Sequence, residues 1–176
     1  MVQIYELLGN KKLLKILNFF LENPSKKITT SEIAKLKIAK ATRIKWLNFL
    51  VKERLISCEK IGIQNLYSLA PSNPIIKQLK ILKNIVFLEN VLNKDIKAQI
   101  YIYGSVARGE NTEKSDIDIL VITRNKKETL VDMNKLIKKS DKKFNLIIIT
   151  PREWAQMSVK DKAFYERVNK DMIKIR

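Results

Sequence analysis

Apolar residues recur at helical spacing through the first part of the chain. Leu7, Leu8, Leu13, Leu14, Ile16, Leu17, Phe20 and Leu21 predict one amphipathic helix from Ile4 to Leu21, ended by Asn23-Pro24-Ser25. Thr29-Thr30-Ser31-Glu32 opens a short second helix that either threonine can cap. A third helix is predicted from about Ala39 to Glu53, with Ile44, Leu47, Leu50 and Val51 inward, and LISCEKIGIQNLYSL then reads as a small hairpin turning near Gly62. Beyond Pro71 and Pro74, the segment Ile75–Leu92 has apolar residues at Ile75, Ile76, Leu79, Leu82, Ile85, Val86, Leu88 and Leu92. So narrow a polar face predicts a long helix buried on more than one side.

The period then changes. Ala98–Tyr103 and Ile119–Thr123 are β-branched and aromatic runs that predict two strands, with a short helix, Val106 to Glu110, between them. Lys126–Lys139 predicts a helix with Leu130, Met133, Leu136 and Ile137 inward, and Phe144–Thr150 a buried strand. Pro151 opens another helix at its first position, a last helix is expected around Lys160–Val168, and the tail DMIKI reads as a short strand.

Candidate chemistry gathers between the two central strands. The first ends in Gly104-Ser105; ten residues later comes Asp116-Ile117-Asp118. A period of two puts Asp116 and Asp118 on one face of the strand. Adjacent carboxylates repel, and a hard divalent cation such as Mg²⁺ relieves the repulsion. Gly104 lets the backbone approach a ligand, and Ser105 adds a hydroxyl and an amide that suit a phosphate. Together these features fit phosphoryl or nucleotidyl transfer, in which catalysis is mostly positioning and charge stabilisation.

The composition narrows the classes further. A chain of 176 residues suits one ordinary domain or two small ones. It contains no run of 18 apolar residues to span a membrane, and MVQIYELLGNKK lacks the marks of a signal peptide, so a cytoplasmic protein is expected. Cys58 is the lone cysteine and there is no histidine, which excludes an internal disulfide and histidine-based catalysis. The net charge of +17 is spread along the chain: residues 1–72 carry 13 Lys/Arg against 5 Asp/Glu, the remainder 22 against 13. That balance favours a polyanionic partner, while abundant lysine and isoleucine with few glycines also match a thermophile's composition.

YGSVARGE and SDIDILVIT resemble the minimal nucleotidyltransferases, small members of the polymerase-β-like superfamily, whose signature is Gly-Ser, ten residues, Asp-x-Asp. The resemblance implies Mg²⁺- or Mn²⁺-dependent transfer of a nucleoside monophosphate from an NTP, taken as ATP, to an acceptor hydroxyl. It implies Asp116 and Asp118 as catalytic metal ligands, Gly104 and Ser105 as the phosphate grip, and Arg108 as a charge stabiliser. Catalytically complete relatives carry a third acid on the following strand, and the matching residue here is Asn145, which cannot accept a proton. Asp141, Glu110 and Glu113 are the nearest substitutes. In some relatives the acceptor is a tyrosine on a cognate toxin, so a helical toxin is one candidate partner. The alternative is a regulator whose nucleotidyltransferase domain only senses nucleotide; transfer to a small molecule such as an aminoglycoside is a third reading.

Helix, short helix, helix and hairpin is also the order of a winged helix-turn-helix, which TTSEIAKLKIAKATRIKWLNFLVKERLI resembles. DNA is then the expected partner. Lys40, Thr42, Arg43, Lys45 and Trp46 are expected to point away from the core, with Arg43 reading a base edge and Lys60 a wing contact. Arg54 occupies the place where such domains usually have glycine. A solvated protein-interaction module is the alternative. The expected class is α+β: a winged helix-turn-helix domain over residues 1–71, a linker helix over 72–96 whose 75–92 stretch is expected to pair two copies in a homodimer, and a small mixed-sheet nucleotidyltransferase domain over 97–176.

Overall fold

Asn10 divides the first expected helix in two, α1 (Ile4–Leu8) and α2 (Lys11–Glu22). Its side chain accepts from the amides of Lys12 and Leu13, satisfying two donors that helix geometry leaves without partners. The computed structural model describes residues 3–92, 96–138 and 140–176. Residues 93–95 of the expected linker, and Lys139 at the end of an expected helix, lie outside the described residues. Contacts divide the chain into two units, one ending at Leu79 and the other beginning at Lys80.

In the first unit a two-residue strand, β1 (Ile28–Thr29), leads into α3 (Thr30–Ala34). Thr29 caps this helix in a reciprocal box with Glu32, whose carboxylate is held below its usual pKa chiefly by the Thr29 amide. Next come α4 (Lys40–Lys52) and a hairpin of β2 (Ile56–Ile61) and β3 (Gln64–Leu69), onto which β1 adds in the order β1-β3-β2. Leu13, Ile16, Leu17, Phe20, Ile33, Leu47, Leu50, Leu55 and Ile76 make the core.

Arg54 takes the backbone conformation that glycine would supply, with φ of 56°. The Leu55 amide reaches back to the Leu50 carbonyl at 2.9 Å and the Arg54 amide to Val51 at 3.0 Å, and both leucines are buried. This is a Schellman stop, held by the Leu50–Leu55 contact despite the strain of a left-handed L-residue. Ile44 departs from expectation. It is 47 % exposed, because it lines the open cleft between α3 and α4 instead of closing it.

Helix α5 (Pro74–Val91) contributes Ile76 to the first core and Leu88 to the second. The second unit then runs β4 (Gln99–Tyr103), α6 (Gly104–Ala107), β5 (Ile117–Ile122), α7 (Lys126–Ile137), β6 (Phe144–Ile149), α8 (Pro151–Lys160), α9 (Lys162–Asp171) and β7 (Ile173–Lys174). Its sheet has the order β6-β5-β4-β7. Only β5 and β6 are parallel, and α7 is the crossover that a parallel pair requires. One cluster on the sheet joins Leu88, Ile100, Ile102, Ile117, Ile119, Val121 and Met133; another joins Tyr103, Leu120, Ile122, Ile149 and Val168.

Four expectations are corrected in this unit. The short helix after β4 starts at Gly104 and not Val106, and stops before Gly109, whose φ is 66°. In α7 Leu130 is 45 % exposed; Thr129 takes the inward position, its hydroxyl 3.0 Å from that of Thr123. Strand β6 lies at the sheet edge, so only Ile149 in it is buried. The last helix begins at Lys162, after Asp161 caps it.

Candidate active site

The register of the sheet brings the sequence motif together. Asp118, the second residue of β5, lies opposite Tyr103 on one side and Asn145 on the other. Ile117 and Ile119 are buried while Asp116 and Asp118 are half-buried, as the two-residue period demands. Asn145 donates its amide to Asp118 Oδ1 at 3.0 Å. On the other side stands Gly104, with φ of 72°; a Cβ there would come within 2.6 Å of Asp118 Oδ2. The carboxylate is thus seated between a strand-end glycine and the third position of the motif.

Glycine is favoured at 104 by its left-handed backbone, and any Cβ there would also have to displace the Asp118 carboxylate. Gly104→Ala is expected to destabilise the protein by about 1–3 kcal/mol, part from the left-handed backbone and part from the displaced carboxylate. Displacing it by about 1 Å is expected to lower any transfer rate by about a hundredfold. Thermal melting with a rate measurement checks this; an alanine variant as stable and active as the parent would show that the close approach is not needed.

Ser105 is half-buried and its carbonyl accepts from the Glu110 amide at 2.8 Å, closing the turn. Arg108 is engaged within the protein. Its Nε donates to Glu110 Oε2 at 2.9 Å and its Nη1 to Asp171 Oδ2 at the end of α9. Those two carboxylates, Glu110 foremost, hold the guanidinium even more firmly protonated than usual. The Asp171 side chain is only 12 % exposed, and its Oδ1 is buried with no hydrogen-bond partner among the described residues. The Tyr103 hydroxyl has its pKa raised first by burial and then by Asp118, against an opposing effect of Arg167.

Residues not singled out from the sequence hold the loop between the two halves of the motif. Lys80 is 3 % exposed and its Nζ donates to the Asn111 carbonyl at 2.5 Å. Asn84 donates to Asn111 Oδ1 at 3.1 Å and to the Val106 carbonyl at 3.4 Å. A signal was present: Ile76, Lys80, Asn84 and Leu88 follow one another at intervals of four, so two polar residues interrupt an apolar stripe. Buried polar groups on such a stripe need partners, and these find them in the loop. Tyr103, Asp171 and Arg167 gave no comparable signal.

Among the expected nucleic-acid contacts, Lys40, Lys45 and Lys60 are exposed and Thr42 and Arg43 half-buried. Trp46 does not point away from the core. It packs against it, edge-on to Phe49 at 5.7 Å, with Lys45 Nζ 5.0 Å from its ring. Arg43 and Lys40 line a cleft of about 370 Å³ with Thr30, Ser31 and Ile44. A larger cavity, about 780 Å³, is lined by Gln99, Thr123, Arg124, Asp132 and Trp154. It lies at the other end of β5 from Asp118 and shares no residue with the motif.

A mixed sheet with Asp118 at the start of β5, opposite the Gly104 turn, is consistent with a nucleotidyl-transfer domain. Residues 80–171 match the nucleotidyltransferase domain family, and the chain belongs to it. Domains of this family generally use a nucleoside triphosphate and a divalent metal. The solved structure of a "putative nucleotidyltransferase" from Sulfolobus solfataricus is 24 % identical, with a TM-score of 0.33, over 57 % of this chain and 83 % of that one. No curated protein matches. Among the described residues no helix is long and apolar enough to cross a membrane.

Proposed function

We propose that the protein transfers a nucleoside monophosphate from a nucleoside triphosphate, taken as ATP, to an acceptor hydroxyl. The observation that carries this reading is the seating of Asp118 against Gly104 in a chain of the nucleotidyltransferase family. Asp116 and Asp118 are the residues to hold Mg²⁺ or Mn²⁺. Their donor set fits such an ion: both offer hard carboxylate oxygens, and a half-turn of the Asn145 amide presents a third oxygen. Among the described residues no group of three or more acidic, cysteine or histidine side chains gathers, so the site relies on two carboxylates. When bound, the ion would offset the charge of the phosphates and polarise the transferred group. Gly104 and Ser105 leave room for the phosphate chain, and Asp118 fixes its place through the strand register.

A specific feature favours a second reading. Asn145 donates to Asp118 and cannot remove a proton from the acceptor, which describes a domain that binds nucleotide without turnover. Incubation with α-labelled ATP and Mg²⁺, alone and with extract from the source cells, separates the two. Label on protein or nucleic acid supports transfer; retention of ATP without labelling supports sensing, and neither result would leave any nucleotide function.

The first unit is proposed as a winged helix-turn-helix that binds DNA through α4. The support is the element order, the added strand β1 on the hairpin, and the exposed Lys40, Lys45 and Lys60. Arg43→Ala is expected to weaken specific DNA binding by about 1–3 kcal/mol and relax base preference at one position. Equal weakening on every sequence would make Arg43 a phosphate contact. A homodimer through α5, a helical toxin as partner and a cytoplasmic location complete the proposal.

A further inference from the structure

Arg108 stands in the motif, yet Glu110 and Asp171 hold its guanidinium. A triphosphate would have to break that pairing to use it. Another cation is better placed. The Arg167 guanidinium lies over the Phe164 ring, 5.5 Å from its centroid, and the Phe164 ring meets the Tyr103 ring edge-on at 6.1 Å. Tyr103 is the register partner of Asp118, and its hydroxyl feels the charges of both Asp118 and Arg167. A short line of side chains therefore runs from the proposed metal-binding carboxylate to an exposed arginine.

Arg167 forms no ion pair among the described residues. The acids on its helix are committed elsewhere, Glu166 to Lys162 at 3.7 Å and Asp171 to Arg108. Stacking on an aromatic face holds a guanidinium in place while leaving its N–H groups at the rim, where they can meet phosphate oxygens two at a time. Most exposed arginines are merely solvated. This one is seated on a ring that packs against the motif's own tyrosine, and that sets it apart.

We propose that Arg167 binds the β- and γ-phosphates of the nucleotide, the role that Arg108 cannot take while it is clasped. The proposal rests on the nucleotidyl-transfer reading. It is tested by displacement of a fluorescent ATP analogue with ATP and with AMP, in Mg²⁺, for the parent protein and for Arg167→Ala, Arg167→Lys and Arg108→Ala. The expected result is a loss of about ten- to a hundredfold in ATP affinity for Arg167→Ala. AMP, which lacks those phosphates, should lose much less, and lysine should restore part of the difference. Melting temperature should hardly change, because the residue is exposed. ATP bound as tightly by Arg167→Ala as by the parent, or equal losses for ATP and AMP, would overturn the proposal. So would an Arg108→Ala loss confined to ATP with Arg167→Ala unaffected. A parent protein that binds no analogue at all would instead remove the transfer reading beneath it.

Discussion

Asp118→Ala is expected to reduce transfer to background, a loss of at least a hundredfold, while leaving the fold nearly as stable as before. The two effects separate because of where the residue sits. Asp118 is half-buried at the start of β5, outside the apolar clusters, and its side chain accepts a hydrogen bond from the Asn145 amide. Losing that bond costs about 1 kcal/mol, or about 2–4 °C in melting temperature for a protein of this size. The functional loss is larger because Asp118 faces both the Gly104 turn and the Asn145 position. A coupling follows. Gly104→Ala should cost less stability in an Asp118→Ala background, since the carboxylate that a Cβ would strike has gone and only the backbone strain remains. Equal costs in both backgrounds would mean that the two residues do not meet.

Asn145→Asp is expected to raise the rate of transfer by about 10²- to 10⁴-fold if an absent proton acceptor is what limits it. Position 145 is already in register with Asp118, so the new carboxylate enters the site without any change of backbone. The same substitution should weaken the metal-free protein, because it replaces a donor with a second acid beside Asp118 and like charges on neighbouring strands repel. Acid relieves the repulsion by neutralising the carboxylates, so this destabilisation is expected to be absent at low pH and to appear once both groups are charged. Mg²⁺ should reverse it, giving the variant a larger metal-induced rise in melting temperature than the parent. A variant with unchanged rate and no added response to Mg²⁺ would show that Asn145 is not the site's third position.

Much of this arrangement was legible in the chain because it follows from local periods. The two-residue alternation around Ile117 and Ile119 places both aspartates on one face without any knowledge of the fold, and a capping threonine announces α3 as Pro151 at its first position announces α8. What escaped depends on distant partners. Trp46 reads as solvent-facing near the start of an exposed basic helix, and only the packing of Phe49 and the core draws it in. Arg108 reads as a free cation beside a phosphate turn; its pairing with Asp171 joins residues 63 positions apart, which no spacing rule anticipates. The inward turn of Thr129 instead of Leu130 has the same origin, since the Thr123 hydroxyl just past the end of β5 decides it. Lys80 and Asn84 differ, for their stripe was visible and called for a buried acceptor that only the folded loop supplies.

The most direct test is a calorimetric titration of ATP into the parent protein and into Asp118→Ala, each with Mg²⁺ and with EDTA. Binding by the parent that needs Mg²⁺ and vanishes in the variant is the predicted result. ATP bound equally without metal, or equally by Asp118→Ala, would contradict a metal–nucleotide site built on Asp116, Asp118 and the Gly104 turn.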